Sequence, residues 1–450
     1  MQRLPISDST APATAQPPLW RQLQATSAVL QAQRAGQSGS AALEAVDPAL
    51  RPGVQALAFA VWRNLGRAMA LRAALARKAP PAPVDALLCT TLALCWDPAQ
   101  ALYDEFTLVN QAVEAAKRDP RTLAQAGFVN GCLRRFLRER AALVAATEDQ
   151  PQARWNHPPW WIARLQAEQP ARWEAILDAS NRQPPLALRL NLRKTTLTAY
   201  LAELAHAGIA ARGIAPALVY LEQAVPVTRL PGYAQGWFSV QDAAAQRAAP
   251  LLLDGLALDA AARVLDACAA PGGKTGHLLE LGDARVVALE QDAARVPRIH
   301  ANLQRLGLQA EVLTGDAGDP AAWWDGQLFD AILLDAPCTA SGIVRRHPDV
   351  RWLRRATDTA QLAQAQKRLL DALWPLLRPG GRLLYCTCSI FAQEGPQQLQ
   401  AFLARHSDAA CLPAPGSMWP RSAAAGAPVL DNAAYDHDGF FYGLLEKRAR

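Results

Sequence analysis

Apolar residues in the first third of the chain recur at intervals of three and four. The stretch VQALAFAVWRNLGRAMALRAAL, residues 54–75, has this period, which is typical of amphipathic helices. Asp-Pro pairs at 97–98 and 119–120 interrupt it, and such pairs mark the places where one helix ends and another begins. The pattern predicts an all-α bundle of about five to seven helices over residues 19–147.

A mixed pattern follows in residues 148–240. LALRLNLRK, which starts at Leu186, alternates apolar and polar residues as a half-buried strand does. TAYLAELAHAGIA has the period of a helix, and ALVYLE has the composition of a second strand. A linker and a small α+β subdomain are therefore predicted here.

Strands and helices alternate from residue 241 to residue 450. The apolar runs are ARVLDACA, ARVVALEQD, AEVLTGD, FDAILLDAP and GRLLYCTCS, and helical stretches separate most of them. This alternation indicates an α/β domain with a doubly wound, mostly parallel sheet. The last run, GFFYGLLEK, is predicted to add an edge strand. Residues 1–18, rich in Ser, Thr, Ala and Pro, are predicted to form a disordered leader.

Composition limits the chemistry that the chain can carry out. The net charge of +6 suits a polyanionic partner, although charge alone does not define one. Eight cysteines, with no C-x2-C pair and no signal peptide ahead of them, predict a reduced, cytoplasmic setting with free thiols. The longest apolar runs are too short to span a bilayer, so no membrane partner is expected.

A loop of small residues follows the first strand of the α/β region. In LDACAAPGGKTGHLLEL, Gly272 and Gly273 precede a helix that begins near Lys274. Glycines let a ligand approach the backbone, and the helix start offers free N–H groups to an anion. The loop matches neither the dinucleotide fingerprint nor the phosphate-binding P-loop. From these residues alone, a simple turn and a ligand-binding loop are equal alternatives.

Each of the next three strands ends in an acidic residue: Glu290, Asp316 and Asp335. A single acid after a strand is usually a helix cap or a turn former. Because the carboxyl ends of parallel strands meet at one edge of a sheet, three such acids beside the glycine loop predict a cleft. That cleft suits a ligand with a ribose, an adenine amino group and a cationic centre.

Two cysteines follow neighbouring strands of the predicted sheet. Cys338 comes after Asp335-Ala-Pro, and Cys388 is the second cysteine of the run YCTCS. A lone cysteine is most often a small buried hydrophobe, and this interpretation suits Cys386, which lies deeper in its strand. Cys388 lies near the mouth of the cleft, where a thiolate could meet a substrate. Zinc needs about four ligands at familiar spacings, so no metal is predicted.

A basic segment, IVRRHPDVRWLRR at 343–355, follows the DAPC turn. Such a segment is usually a solvated helix face, but five arginines at a cleft rim also suit contacts with nucleic-acid phosphates. The candidate RNA-contact residues are Arg345, Arg346, His347, Arg351, Arg354 and Arg355.

Taken together, these motifs resemble a known family. DACAAPGGKT, LLDAPCTASG, IVRRHPDVRW, YCTCS and GFFY are similar to motifs of the RNA (cytosine-5-)-methyltransferases of the Sun/Nol1/Nop2 family. GFVNGCLRRF and GWFSVQDAAAQ narrow the resemblance to the bacterial members that act on 16S rRNA. The N-terminal domain of those members resembles the antitermination factor NusB. The resemblance extends from about residue 19 to the end of the chain.

The resemblance implies a Rossmann-like catalytic domain, preceded by a NusB-like RNA-binding bundle and a small RNA-binding subdomain. It implies a monomer that methylates C5 of a cytosine in a single-stranded loop of 16S rRNA, or of a cytosine flipped from a helix. Cys388 would be the nucleophile, Cys338 would assist product release, and Asp335 would hydrogen-bond the base. S-adenosyl-L-methionine would be the cofactor, bound by Cys268, Ala269, Ala270, Pro271, Gly272, Gly273, Lys274, Glu290, Asp316 and Asp335. Glu290 stands where Asp is usual in the family, which alters the geometry toward the ribose.

Other functions stay open at this point. The substrate could be tRNA or another rRNA. In DNA cytosine-5 methyltransferases the nucleophile lies in the Pro-Cys motif after the fourth strand, which corresponds to Cys338 here. A non-catalytic RNA-binding module is a third alternative. A nicotinamide dehydrogenase is disfavoured because the dinucleotide fingerprint is missing.

Overall fold

The computed structural model describes residues 17–223, 225–256, 258–421 and 435–449. The chain divides into two compact units, Met1–Asn156 and His157–Arg450. Residues 1–16 of the predicted leader lie outside the described residues. Among the described helices, none has the length and apolar character needed to cross a bilayer. The domain boundaries predicted after residues 18, 147 and 240 remain predictions.

The described part of the first unit is all-α, as predicted. Its helices are α1 Leu19–Arg34, α2 Gly39–Glu44, α3 Arg51–Leu75, α4 Ala82–Cys95, α5 Glu105–Arg118, α6 Ala126–Ala145 and α7 Pro151–Trp155. In α4 every residue from Ala86 to Cys95 is buried. A helix that is apolar on all sides must be central, and α4 packs against α1, α3, α5 and α6. The likeness of this bundle to NusB remains a prediction.

The second unit begins with two helices and a small antiparallel sheet. Its first elements are α8 Pro159–Glu168, α9 Trp173–Asn181, β1 Leu186–Leu190, α10 Leu197–His206, β2 Ala211–Ile214, β3 Leu218–Leu221 and β4 Phe238–Val240. The strand order is β2-β3-β1-β4. Leu188, Val219 and Phe238 on one face of the sheet pack with Tyr200 of α10. The alternating pattern of LALRLNLRK therefore buries one face against a helix, as expected. The other face is also buried, unlike that of a half-buried strand, and its Arg189 pairs with Glu280.

A seven-stranded sheet forms the body of the second unit. Its elements are α11 Ala248–Leu253, β5 Arg263–Asp266, α12 Gly273–Leu281, β6 Arg285–Glu290, α13 Val296–Leu306, β7 Glu311–Thr314, β8 Phe329–Asp335, α14 Val350–Leu353, α15 Asp358–Leu373, β9 Leu377–Thr387, α16 Pro396–Arg405, β10 Ala409–Met418 and β11 Phe440–Lys447. The strand order is β10-β11-β9-β8-β5-β6-β7.

The order of these strands determines where a ligand can bind. The pairs from β9 to β7 are parallel. The chain runs outward from β5 through β6 to β7, and then returns to β8 on the other side of β5. This reversal is a topological switch point, and ligands of doubly wound sheets bind at the carboxyl ends of the strands beside it. The predicted doubly wound fold is confirmed.

The prediction for GFFYGLLEK is wrong in one respect, because β11 is not an edge strand. It lies between β9 and β10 and is antiparallel to both. Phe441 packs on one face of the sheet and Tyr442 on the other, so both faces of β11 are buried. The edge is β10, whose Pro413 and Pro415 lie where the register shifts between Leu412 and Gly416. Prolines are tolerated at an edge because no neighbouring strand needs their missing N–H groups.

Candidate active site

The small-residue loop lies between β5 and α12, at the switch point. Gly272 has φ of +93°, a left-handed conformation that favours glycine. A Cβ atom at Gly272 would lie 3.3 Å from atoms of Ile299, whereas a Cβ at Gly273 would meet no atom within 4 Å. Gly272 therefore makes the turn, and Gly273 leaves open space at the start of α12, where backbone N–H groups are free to bind an anion.

The three predicted acids follow the ends of their strands but have different partners. Glu290 is 5% exposed, and its carboxylate accepts hydrogen bonds from the backbone N–H groups of Ala270, at 3.1 Å, and Asp292, at 3.0 Å. Glu290 is thus tied to the small-residue loop. Asp316 instead forms an ion pair with Arg368 of α15, with N–O distances of 2.9 and 3.1 Å.

Asp335 contacts both Lys274, at the start of the helix that follows the small-residue loop, and Cys386 of β9. Its carboxylate lies 2.6 Å from Nζ of Lys274, the second residue of α12. Its other oxygen lies 3.5 Å from Sγ of Cys386. Burial opposes the charge on Lys274, but Asp335 and the sulfurs of Cys386 and Cys388 outweigh it and raise the pKa of Lys274. Lys274 therefore stays protonated and places a positive charge between the loop and the thiols.

Cys338 and Cys388 come together although 50 residues separate them in the chain. Strands β8 and β9 are parallel, and Asp335 is in register with Cys386, so both cysteines follow the same edge of the sheet. Their sulfurs lie 3.4 Å apart. Cys338 is 9% exposed and Cys388 is partly exposed. The hydrogen bond to Cys388, and then burial, raise the pKa of Cys338 well above its ordinary value.

Cys386 differs from this pair. Its side chain is fully buried in the core of the sheet. Burial, together with the charge of Asp335, raises the pKa of its thiol. A buried thiol of this kind is inert, so packing is the role that its surroundings support.

The basic segment separates into a buried part and an exposed part. Arg345 is 1% exposed and pairs with Asp436 and Asp438. Arg346 pairs with Asp242, at 2.8 Å, and with Asp438, at 2.6 Å, and its third guanidinium nitrogen donates to a backbone carbonyl.

Arg351 is also fully buried and donates to the backbone oxygens of Ser180 and Val344. The RNA contacts predicted for Arg345, Arg346 and Arg351 are therefore corrected, because these guanidinium groups bind other parts of the protein. The acidic partners of Arg345 and Arg346 lie about a hundred residues away in sequence, and Ser180 lies 171 residues from Arg351, so no local pattern reveals them. His347 and Arg355 are exposed and Arg354 is partly exposed, and RNA contact by these three remains a prediction.

Asp266, at the end of β5, is a fourth strand-end acid that the sequence reasoning did not single out. It is 1% exposed, and the hydroxyl of Thr275 donates to its carboxylate at 2.6 Å. Burial raises the pKa of Asp266 to about 6. The available signal was its place directly before the small-residue loop, equivalent to the places of the other three acids.

Replacement of Asp266 by Asn should change how stability depends on pH. Folded Asp266 keeps its proton up to about pH 6, whereas the unfolded chain loses it near pH 4. Wild-type stability should therefore fall as pH rises through this window. The stability of Asp266→Asn relative to wild type should rise by roughly 2 kcal/mol between pH 4 and pH 7. Urea unfolding across that range measures the difference.

Asp325→Asn is a control in which the dependence of stability on pH should change in the opposite direction. Hydrogen bonds from Arg263 lower the pKa of Asp325. Its contribution to stability is present at neutral pH and is lost as pH falls through that lowered pKa. Asp325→Asn should thus lose stability at pH 7 but not at low pH. If the free energy of unfolding of Asp266→Asn differs from that of wild type by the same amount at every pH, the raised pKa assigned to Asp266 is wrong.

The fold and site together define the class of protein. A doubly wound sheet with a glycine loop after β5, acids at successive strand ends and one reversed strand, β11, between β9 and β10 is a Rossmann-like methyltransferase domain. Residues 254–446 match the family model described as 16S rRNA methyltransferase RsmB/F. Residues 157–228 match the ferredoxin-like domain of RsmF/B-like methyltransferases.

Relatives cover nearly the whole chain. Ribosomal RNA small subunit methyltransferase B of Vibrio cholerae serotype O1 is 39% identical over 433 residues, which are 94% of this chain and 96% of the relative. The chain therefore belongs to the ribosomal RNA small subunit methyltransferase B family, and the resemblance seen in the motifs is confirmed.

Solved structures share the fold. The crystal structure of PH0851 has a TM-score of 0.73 and 22% identity, and the match covers 94% of this chain and 99% of that chain. A methyltransferase homolog protein from Pyrococcus horikoshii has a TM-score of 0.55 and 25% identity, with 66% of this chain and 97% of that chain covered. At 22% identity, the similarity to PH0851 supports the Rossmann-like fold alone.

Membership in this family makes S-adenosyl-L-methionine the cofactor, as expected, and the residues present suit it. The open space beside Gly273 leaves room at the start of α12, where the carboxylate of an amino acid can bind free N–H groups. Glu290 also pairs with Arg295 at 3.5 Å through Oε1, and its Oε2, which accepts from Ala270, has a further lone pair for a ribose hydroxyl. Carboxylates at the neighbouring strand ends suit a cationic centre. No group of three or more potential metal ligands occurs among the described residues.

Proposed function

We propose that the protein transfers a methyl group from S-adenosyl-L-methionine to C5 of a specific cytosine in 16S rRNA, through a covalent bond between Cys388 and C6. The names of the relatives support an rRNA substrate. The observation that carries the cytosine-5 chemistry is the approach of the Cys338 and Cys388 sulfurs to 3.4 Å at the mouth of the cofactor cleft. Two thiols at this place suit a reaction that must both form and break a bond to sulfur.

A covalent route is needed because C5 of cytosine is a poor nucleophile. When Cys388 adds to C6 as a thiolate, the S–C6 bond forms and C5 gains the electron density of an enamine. S-adenosyl-L-methionine supplies the methyl group, carried on a sulfonium centre. Asp335, paired with Lys274, can accept a hydrogen bond from the exocyclic amino group on the Watson–Crick edge and so orient the base with C6 toward Cys388. The base must leave its stack to reach these groups.

Product release requires the S–C6 bond to break after C5 has lost its proton. The electrons of that bond return to Cys388, which leaves as a thiolate. Cys338 lies 3.4 Å away, and its raised pKa keeps a proton on it at neutral pH. Cys338 can therefore protonate the departing sulfur.

The DNA-type alternative, with Cys338 as the nucleophile, is disfavoured by the same observations. A thiolate is the attacking species, and burial in apolar surroundings disfavours the charged form of a thiol. Cys338 is the more buried of the two thiols, whereas Cys388 is partly exposed.

Bisulfite sequencing of total RNA from cells with and without the gene tests the proposal, because methylated cytosines resist conversion. One cytosine in 16S rRNA should lose protection when the gene is deleted. A change confined to tRNA or to another rRNA would contradict the 16S assignment and identify the alternative substrate. If no cytosine changes and calorimetry detects no binding of S-adenosyl-L-methionine, a non-catalytic RNA-binding module is the better description.

A further inference from the structure

Glu394 is a fully buried carboxylate that the proposed reaction does not use. It ends the short turn Ala392–Glu394 that follows β9. One carboxylate oxygen accepts the backbone N–H of Thr339 at 2.8 Å and the side-chain amide of Gln366 at 3.2 Å. The other accepts the hydroxyl groups of Thr339 and Ser389, the latter at 2.6 Å.

These partners are the neighbours of the two thiols in sequence. Thr339 directly follows Cys338, and Ser389 directly follows Cys388. A single carboxylate thus bonds to both loops, which leave different strands. A carboxylate that bridges two loops restricts how far they can move apart. It acts beside two direct bonds between the loops, from the Gly342 N–H to the Cys388 carbonyl oxygen at 2.8 Å and between the Ser341 and Ser389 hydroxyls at 3.0 Å.

The residues that precede the thiols belong to the same network. Gln366 donates to the carbonyl oxygen of Pro337 at 2.9 Å, and the hydroxyl of Thr387 donates to the carbonyl oxygen of Glu394 at 3.2 Å. The hydroxyl of Tyr385 joins Gln366, at 2.9 Å, to the Glu394 carbonyl, at 2.7 Å. All four residues that flank the two cysteines therefore bond to Glu394 or to its partner Gln366.

The charge of Glu394 fits this arrangement. Burial raises the pKa of Glu394 above its ordinary value, and the hydrogen bonds from Ser389, Thr339 and Gln366 offset that effect only in part. Every partner of the carboxylate donates, and an ionised carboxylate only accepts. An apolar side chain here would leave buried donors without an acceptor, which is unfavourable. A carboxylate is thus the group best suited to hold both loops.

We propose that Glu394 is a positioning residue that sets the separation of the Cys338 and Cys388 sulfurs by bonding to the residue that follows each of them. Its effect on methylation rests on the function proposed above, but its effect on the thiol pair does not. The two effects are therefore measured separately.

The thiol pair can be probed without RNA by phenylarsine oxide. Its arsenic forms two As–S bonds with a pair of close thiols, and its oxygen leaves as water with the two thiol protons. In the full-length protein, Glu394→Ala should bind the arsenical roughly tenfold more weakly than wild type, since small misplacements of reacting groups have effects of this size or larger. Glu394→Gln, which keeps one accepting oxygen, should bind it about threefold more weakly. Cys388→Ala keeps only Cys338 of the pair, so it shows how much of the affinity for phenylarsine oxide requires both thiols.

Asp330→Asn is the matched control. Asp330 is also a buried strand-end carboxylate, but it lies at the opposite end of β8, where it accepts the backbone N–H of Arg263 at 2.7 Å and pairs with Arg378. Its loss should lower the melting temperature without changing arsenical affinity. Glu394→Gln guards against the case in which Glu394→Ala fails to fold.

The second measurement is covalent trapping on RNA that contains 5-fluorocytosine, alongside calorimetry with S-adenosyl-L-methionine. Glu394→Ala should trap RNA at least roughly tenfold more slowly than wild type, with cofactor affinity within about twofold. If wild type traps no RNA, the proposed function fails, and the arsenical measurement still decides the role of Glu394. Wild-type arsenical affinity in folded Glu394→Gln would overturn the positioning role, as would an equal loss in Asp330→Asn.

Discussion

Cys388→Ala should abolish methylation while cofactor binding survives. Removal of the nucleophile removes the covalent route, so the rate should fall by at least about a thousandfold. The small-residue loop and the Lys274–Asp335 pair do not depend on the Cys388 side chain, and S-adenosyl-L-methionine should bind with an affinity within about twofold of wild type. Methyl transfer to 16S rRNA and calorimetry measure the two quantities.

Cys411→Ala serves as the comparison for Cys388→Ala. Cys411 is an exposed cysteine on β10, and its sulfur lies 3.7 Å from the backbone carbonyl oxygen of Leu412. Its replacement should leave the rate unchanged, which separates loss of the nucleophile from loss of any thiol. Substantial activity in Cys388→Ala, together with an inactive Cys338→Ala, would reverse the roles of the two cysteines.

Cys338→Ala should accumulate a covalent adduct between protein and RNA. The S–C6 bond can still form at Cys388, but the departing sulfur loses the thiol that lies 3.4 Å away. General acid assistance contributes roughly a hundredfold to ten-thousandfold, so turnover should fall by that order while the first addition proceeds. Wild-type RNA and S-adenosyl-L-methionine suffice for the test. A band of reduced mobility should persist on a denaturing gel.

The double variant Cys338→Ala, Cys388→Ala identifies the attachment point. It should form no adduct, because the adduct of Cys338→Ala is attached through Cys388. If Cys338→Ala turns over as fast as wild type and shows no adduct, Cys338 has no part in release. If the double variant still forms the adduct, another residue is the nucleophile.

Much of the fold was predictable because its signals are local. The period of three and four in α3, the alternation in β1 and the apolar runs of the parallel strands each follow from which faces are buried. The small-residue loop and the acids after β6, β7 and β8 could be found for the same reason. Each occupies a place that the order of strand, loop and helix defines.

The errors concern contacts between distant parts of the chain. GFFYGLLEK looked like an edge strand because nothing local shows that β10, with its two prolines, would cover it. The arginines at 345, 346 and 351 looked like an RNA surface because their partners, such as Asp242 and Asp438, are remote in sequence. Glu394 was missed because it follows Cys388 by six residues in an unremarkable turn.

The sequence by itself thus determined the order of elements, the doubly wound class, the place of the small-residue loop and the family. These depend on short stretches whose burial pattern and motifs are complete in themselves. Only the tertiary structure decided that Cys338 and Cys388 lie in contact, which arginines are buried, and that one carboxylate bonds to both cysteine loops. Such facts depend on the register of β8 with β9 and on packing across 50 residues or more, and hydrogen bonds at that range leave no periodic trace in the sequence.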